Sequence, residues 1–113
     1  MKLPNTDHAI IDPVKLYGYL LSTSHPIGRF KASFFARLGY TAANWEALDA
    51  ALREQHLTQS ANLVGATVHG RKYEIRAILK GPTRQSAVVL SVWIIRAGER
   101  APRFITAYPG DER

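Results

Sequence analysis

The sequence has no cysteine, no glycine-rich phosphate loop and no apolar run near the length of a membrane span. Each absence removes a class of protein. Without cysteine there is no disulfide framework and no thiolate metal site, a composition compatible with a reducing cytosol. Nothing approaches the roughly 18 consecutive apolar residues of a spanning helix, and the opening MKLPNTDHAIID has no signal-peptide core. No membrane partner is expected, and the expected location is the cytoplasm. Gly98 and Gly110 stand alone, with no Walker lysine. His8, His25, His56 and His69 form no pair at helical or strand spacing, so neither a metal nor another cofactor is expected. The nine acids show no paired-carboxylate pattern, and no nucleophile motif is present.

Acids are scarce in one half in particular. Residues 71–103 hold eight Lys or Arg against Glu74 and Glu99, whereas residues 1–56 hold six against five. The formal net charge of +6 therefore belongs to the second half. A concentrated basic surface attracts polyanions, meaning RNA or an acidic protein. The chain's 113 residues fit a single domain, and a hydrophobic share of 46% is enough to give it an ordinary core.

Residues 1–11 read as an arm, in which Ala9-Ile10-Ile11 forms a short edge strand or covers the core. Asp12-Pro13 is a helix start, with Asp capping open N–H groups and Pro at the first helical position. That helix is expected to run to Leu21, with Val14, Tyr17, Leu20 and Leu21 on its apolar side. Pro26 opens a second helix, capped by Ser24 or His25 and stopped at Gly39. At about 100° per residue, Ile27, Phe30, Phe34, Phe35 and Leu38 share one stripe, and Lys31 falls inside it. A lysine on a buried face needs a reason. Thr41 caps a third helix through Gln55, with Trp45, Leu48, Ala51 and Leu52 at helical spacing.

After a loop, a short strand is expected at 66–69, and from Gly70 the period becomes two. Tyr73, Ile75, Ala77 and Leu79 alternate with polar residues, then Gly81-Pro82-Thr83-Arg84 supplies a turn. Ser86 to Arg96 is apolar on both faces and reads as a central strand. Arg103 to Tyr108 follows as the last strand. The expected class is α+β: two to three helices (12–55) packed on a three- to four-stranded antiparallel meander (66–109).

The basic and aromatic residues suit one chemistry. Cleavage of RNA by its own 2′-hydroxyl needs a base, an acid and cations about the phosphate. His25, Lys31, Thr106 and Tyr108 are the catalytic candidates. Arg29, Arg71, Lys72, Arg76 and Arg103 are the phosphate-binding ones. The competing explanation for each is plain: Lys31 lays its methylenes on the core and snorkels to water, His25 caps a helix, and the strand cations form a solvated face.

HPIGRFKASFFARLGY, GRKYEIRAILKGP, VVLSVWII and PRFITAYP together resemble an uncharacterised bacterial family known only as a domain of unknown function, from Leu3 to Pro109. Its features are a His-Pro-x-Gly-x-x-Lys helix and a Thr-Ala-Tyr-Pro strand. The resemblance implies stand-alone cytosolic proteins or C-terminal tips of larger secreted toxins, encoded beside a small antitoxin or immunity protein. More distantly, the order of elements resembles the barnase–EndoU–colicin–RelE class of metal-independent ribonuclease toxins. The expectation is such a toxin domain, with RNA and an acidic immunity protein as partners. The alternative is a basic binding module that cleaves nothing.

Overall fold

Residues 1–110 are described in a computed structural model of the protein. Helix α1 spans residues 13–20: an α-turn Pro13–Lys15 continues into a π-turn Leu16–Leu20. Asp12 caps it, its carboxylate accepting from Val14 N at 3.0 Å. Helix α2 is Arg29–Leu38. Helix α3 spans residues 42–56, passing from a 3-10 turn Ala42–Asn44 through Trp45–Ala51 to a π-turn Leu52–His56. Strands β1 (Asn62–Thr67), β2 (Gly70–Lys80), β3 (Ser86–Arg96) and β4 (Arg103–Pro109) form an antiparallel meander in the order β1-β2-β3-β4. The α+β expectation holds.

The N-terminal arm lies across the sheet. Ile10 makes a parallel bridge to Arg103, and Lys2 an antiparallel one to Ser60. Leu3, Ala9 and Ile11 are buried beneath it, so the arm both pairs and covers.

The helices pack on one face of the sheet. Their buried residues, among them Leu16, Leu20, Phe35, Leu38, Leu48 and Leu52, meet Tyr73, Ile75, Leu79, Val89, Trp93, Phe104 and Ala107. Inside this core sits one polar chain. His56 and Ser91 are fully buried. Trp93 Nε1 donates to Ser91 Oγ at 2.8 Å, and Ser91 Oγ lies 2.7 Å from His56 Nδ1. His56 Nε2 lies 3.2 Å from the carbonyl of Ala77. One tautomer satisfies all of it: the indole N–H goes to Ser91, the serine hydroxyl to Nδ1, and Nε2–H to the carbonyl. Protonating Nδ1 would break that chain, and burial holds the imidazole pKa down at about 4.

Three details differ from the sequence reading. The first strand begins at Asn62 and ends at Thr67, earlier than 66–69, because its residues are exposed on both faces and show no apolar alternation. In α1 the buried residues are Leu16, Leu20 and Leu21, while Val14 and Tyr17 are 54% and 43% exposed. The π-turn, closed by Leu21 N to Leu16 O, adds a residue per turn and shifts the phase of the apolar side.

The third difference is in α2. The helix begins at Arg29, and His25–Gly28 is a capped turn ahead of it. Its buried residues are Ala32, Phe35 and Leu38, whereas Ile27 and Phe30 are 62% and 71% exposed. The buried direction is therefore rotated by roughly 80° from the expected stripe, and Lys31 still falls between Leu38 and Phe35 on the wheel. Gly39, at φ 100°, ends the helix as expected.

At Gly28, just before α2, the chain passes close against α1. A Cβ there would collide with the backbone carbonyl of Tyr19. Only a glycine lets the two backbones meet at this point.

Candidate active site

Lys31 reaches from α2 around the β4 edge of the sheet. Its ammonium donates to Tyr19 Oη at 3.1 Å and to Thr106 Oγ1 at 3.2 Å. It also lies 5.3 Å from the centroid of the Tyr19 ring and 5.7 Å from that of Tyr108. Among the described residues no carboxylate is paired with it. Its partners are neutral hydroxyls and aromatic rings, so the cation is fixed in place without being neutralised.

A bulge decides which β4 residues meet it. The pairing passes from Trp93↔Phe104 to Val92↔Thr106, leaving Ile105 without a partner. Phe104 and Ala107 consequently point into the core, while Thr106 and Tyr108 share the outer face. There the rows read Glu74–Val92–Thr106 and Arg76–Leu90–Tyr108. Tyr108 Oη donates to Glu74 Oε2 at 3.2 Å across the intervening strand.

The two tyrosines flanking Lys31 are pushed in opposite directions. The hydrogen bond from Lys31 holds the Tyr19 phenol below its ordinary pKa, burial opposes this, and a hydrogen bond from Thr106 adds to the lowering. Burial raises Tyr108, and the charge and hydrogen bond of Glu74 raise it further.

His25 stands behind Tyr19, ring edge to ring face at 4.9 Å and 89°. Its Nδ1 accepts from the backbone N–H groups of Ile27 and Gly28, both at 3.0 Å. That makes the ring an N-terminal cap of the turn leading into α2, with the remaining proton on Nε2. Tyr19, His25, Ile105 and Thr106, with Val14, Lys15 and Gly18, line an open groove of about 620 Å³.

A family model described as a domain of unknown function, DUF6883, matches residues 2–111. The chain belongs to the DUF6883 family. No curated protein matches this DUF6883 chain. Among solved structures it is similar in fold to a chain of the contact-dependent growth inhibition toxin–immunity protein complex from Klebsiella pneumoniae 342. The TM-score is 0.60 at 22% identity, over 95% of this chain and 97% of the other. No helix among the described residues of the DUF6883 chain is long and apolar enough to cross a membrane.

Within this DUF6883 domain the expected site residues are only partly convergent. Lys31, Thr106 and Tyr108 meet, and His25 joins them through Tyr19. Arg76 lies on the Tyr108 row and Lys72 one row beyond Glu74, on the same outer face. Arg71 shares the face of Tyr73 and lines a separate groove with Gly70 and Arg96. Arg103 is committed to Glu99 at 2.8 Å, and this pairing lowers the Glu99 carboxyl. Arg29 lies over the ring of Phe30 at 4.8 Å. Two residues were not foreseen, Tyr19 and Glu74. Nothing in LYGYL separates Tyr19 from Tyr17, and Glu74 reads as one more polar position on a wet strand face.

Proposed function

We propose that this domain is a metal-independent ribonuclease-like toxin that cleaves RNA by attack of the 2′-hydroxyl on the adjacent phosphate. The observation that carries the proposal is the Lys31 ammonium, held by Tyr19 and Thr106, two residues that line an open groove, and paired with no acid among the described residues. A phosphate seated there replaces hydroxyl contacts with a charge-assisted one, which strengthens as negative charge builds on the phosphorane. The barnase–EndoU–colicin–RelE resemblance and the fold neighbour from a toxin–immunity complex agree with this reading.

The roles follow from the geometry. Tyr19, whose acidity the neighbouring Lys31 increases, takes the proton of the 2′-hydroxyl when it is itself deprotonated. The 2′-oxygen bonds to phosphorus, the bond from phosphorus to the 5′-oxygen breaks, and Tyr108 gives that oxygen its proton. The products are a 2′,3′-cyclic phosphate and a 5′-hydroxyl, and proton return from Tyr19 to Tyr108 through solvent closes the cycle. Thr106 donates to a phosphate oxygen. His25, whose Nδ1 is occupied, positions Tyr19 and the start of α2, while Arg76 and Lys72 hold flanking phosphates. RNA is abundant in the cytoplasm, and a toxin acting there requires an immunity or antitoxin protein, which the basic half of the chain would attract if it is acidic.

The test is cleavage of RNA by purified protein in EDTA. Cyclic-phosphate ends are expected, with a loss of at least about 100-fold in Lys31→Ala and an unchanged circular dichroism spectrum. Equal cleavage by Lys31→Ala overturns the mechanism. RNA bound in a salt-dependent manner but left intact would identify a basic binding module instead.

A further inference from the structure

The edge of the sheet opposite to Lys31 has an unusual composition. Between His56 and Gly70 there is no Lys, Arg, Asp or Glu, and β1 lies within that stretch as the outermost strand. All six of its residues are exposed, with Leu63 and Val64 at 55% and 50% and Val68 beyond them at 86%. Natural sheets protect such edges with lysine, proline or a covering segment, because unpaired N–H and C=O groups recruit further strands. Here a single bulge at Val64 is the device present. The N-terminal arm covers only the start of the edge, where Met1 and Lys2 lie beside Ser60 and Ala61. From Asn62 to Thr67 the edge is open over about 20 Å.

The surroundings specify the charge of what would fit. Ala66 pairs with Arg71, and Gly65 with Lys72, on the neighbouring strand. Arg96 pairs with Gly70 on the next. Arg71 and Lys72 project from opposite faces of β2, and both are exposed, as is Arg96. None of the three is in an ion pair among the described residues. The nearby acids are engaged: Glu74 with Tyr108 and Glu99 with Arg103. A strand added to β1 would lie two strand spacings, about 10 Å, from β2. A glutamate and an arginine or lysine span that distance between them, on either face. A second copy of this chain would bring its own Arg71, Lys72 and Arg96 against the same cluster.

We infer that β1 is a docking edge for an acidic β-strand of a partner protein, added antiparallel or parallel along Asn62–Thr67. The inference locates the acidic partner proposed above and rests on that reading for the partner's charge, not for RNA cleavage. Main-chain hydrogen bonds would supply the binding, and the three cations its selectivity. Because β1 and β4 are opposite edges, such a partner leaves the Lys31 groove open unless its bulk extends around the helices.

The test uses the full chain and two capped six-residue peptides, one alternating Glu with Val and the other Lys with Val. Binding is followed by amide NMR shifts and by hydrogen exchange. The acidic peptide is expected to shift residues 62–67 and slow their exchange at least about 10-fold, and to bind at least about fivefold more tightly than the basic one. Val64→Glu/Ala66→Glu should weaken the acidic peptide, while Val64→Lys/Ala66→Lys should not. Equal binding of both peptides, binding of neither, or shifts in 62–67 caused by self-association would each overturn the inference. RNA cleavage by the β1 variants, measured in parallel, is expected to match wild type, so failure of the docking edge is distinguishable from failure of the nuclease reading.

Discussion

Lowering the pH from 7 to 5 should destabilise this protein through His56 before its carboxylates titrate. The folded imidazole has its pKa at about 4 against an ordinary value of 6.5, because burial penalises the charged form. A depressed histidine pKa means that the unfolded chain takes up the proton first. The contribution is therefore complete above pH 6.5 and is lost as pH falls from there toward 4. The total is about 3 kcal/mol, of which about 2 kcal/mol is gone at pH 5. That is a substantial fraction of the stability of a domain this size. Urea denaturation at both pH values, read by tryptophan fluorescence, measures the loss. Trp93 reports on the same network, since its indole donates to Ser91. His56→Gln retains a donor and an acceptor but cannot titrate, so its stability should change far less between pH 7 and 5. In wild type the His56 ring resonances should stay in the neutral form down to about pH 5. If wild type and His56→Gln lose equal stability, or the ring titrates near 6.5, the neutral buried tautomer is wrong.

Ser91→Ala should cost about 1–3 kcal/mol in the same urea assay, because it strands both the Trp93 N–H and His56 Nδ1. The two tyrosines should separate in the pH profile of RNA cleavage. Wild-type rate is expected to rise toward alkaline pH as Tyr19 ionises, and Tyr19→Phe to lose that rise together with about 100-fold in rate. Tyr108→Phe should keep the rise while slowing cleavage of substrates with a poor leaving group, and equal slowing for an activated leaving group would refute its role as acid. Gly28→Ala should reduce cleavage without altering any side chain of the site, and an unchanged rate would show that α2 tolerates displacement.

Much of the fold was legible because its signals are local. Asp12-Pro13, Gly39 and the alternation of Tyr73, Ile75, Ala77 and Leu79 each act within a few residues, and each lies where expected. Phase is harder to read where one extra residue changes it. The π-turn in α1 moved burial from Tyr17 to Leu16. The bulge at Ile105 placed Thr106 and Tyr108 on the outer face, whereas strict alternation would group both with Phe104 in the core. Strand β1 has no buried side, so it offered no period to read. Within the site, Lys31 was visible as a charge in an apolar stripe even though the stripe itself was rotated. Tyr19 and Glu74 were not, since their roles depend on contacts 12 and 34 residues away in sequence.

The contact at Gly28 ties the site to the scaffold through the backbone of one of its own residues. Tyr19 gives its side chain to Lys31, and its carbonyl is the surface on which the turn before Lys31 rests. The same residue is thus both a member of the site and its alignment stop. Any force that lifts the first turn of α2 away from α1 must draw the ammonium from the phenol in the same movement. Displacing that turn would therefore disturb the site with the groove itself left unblocked.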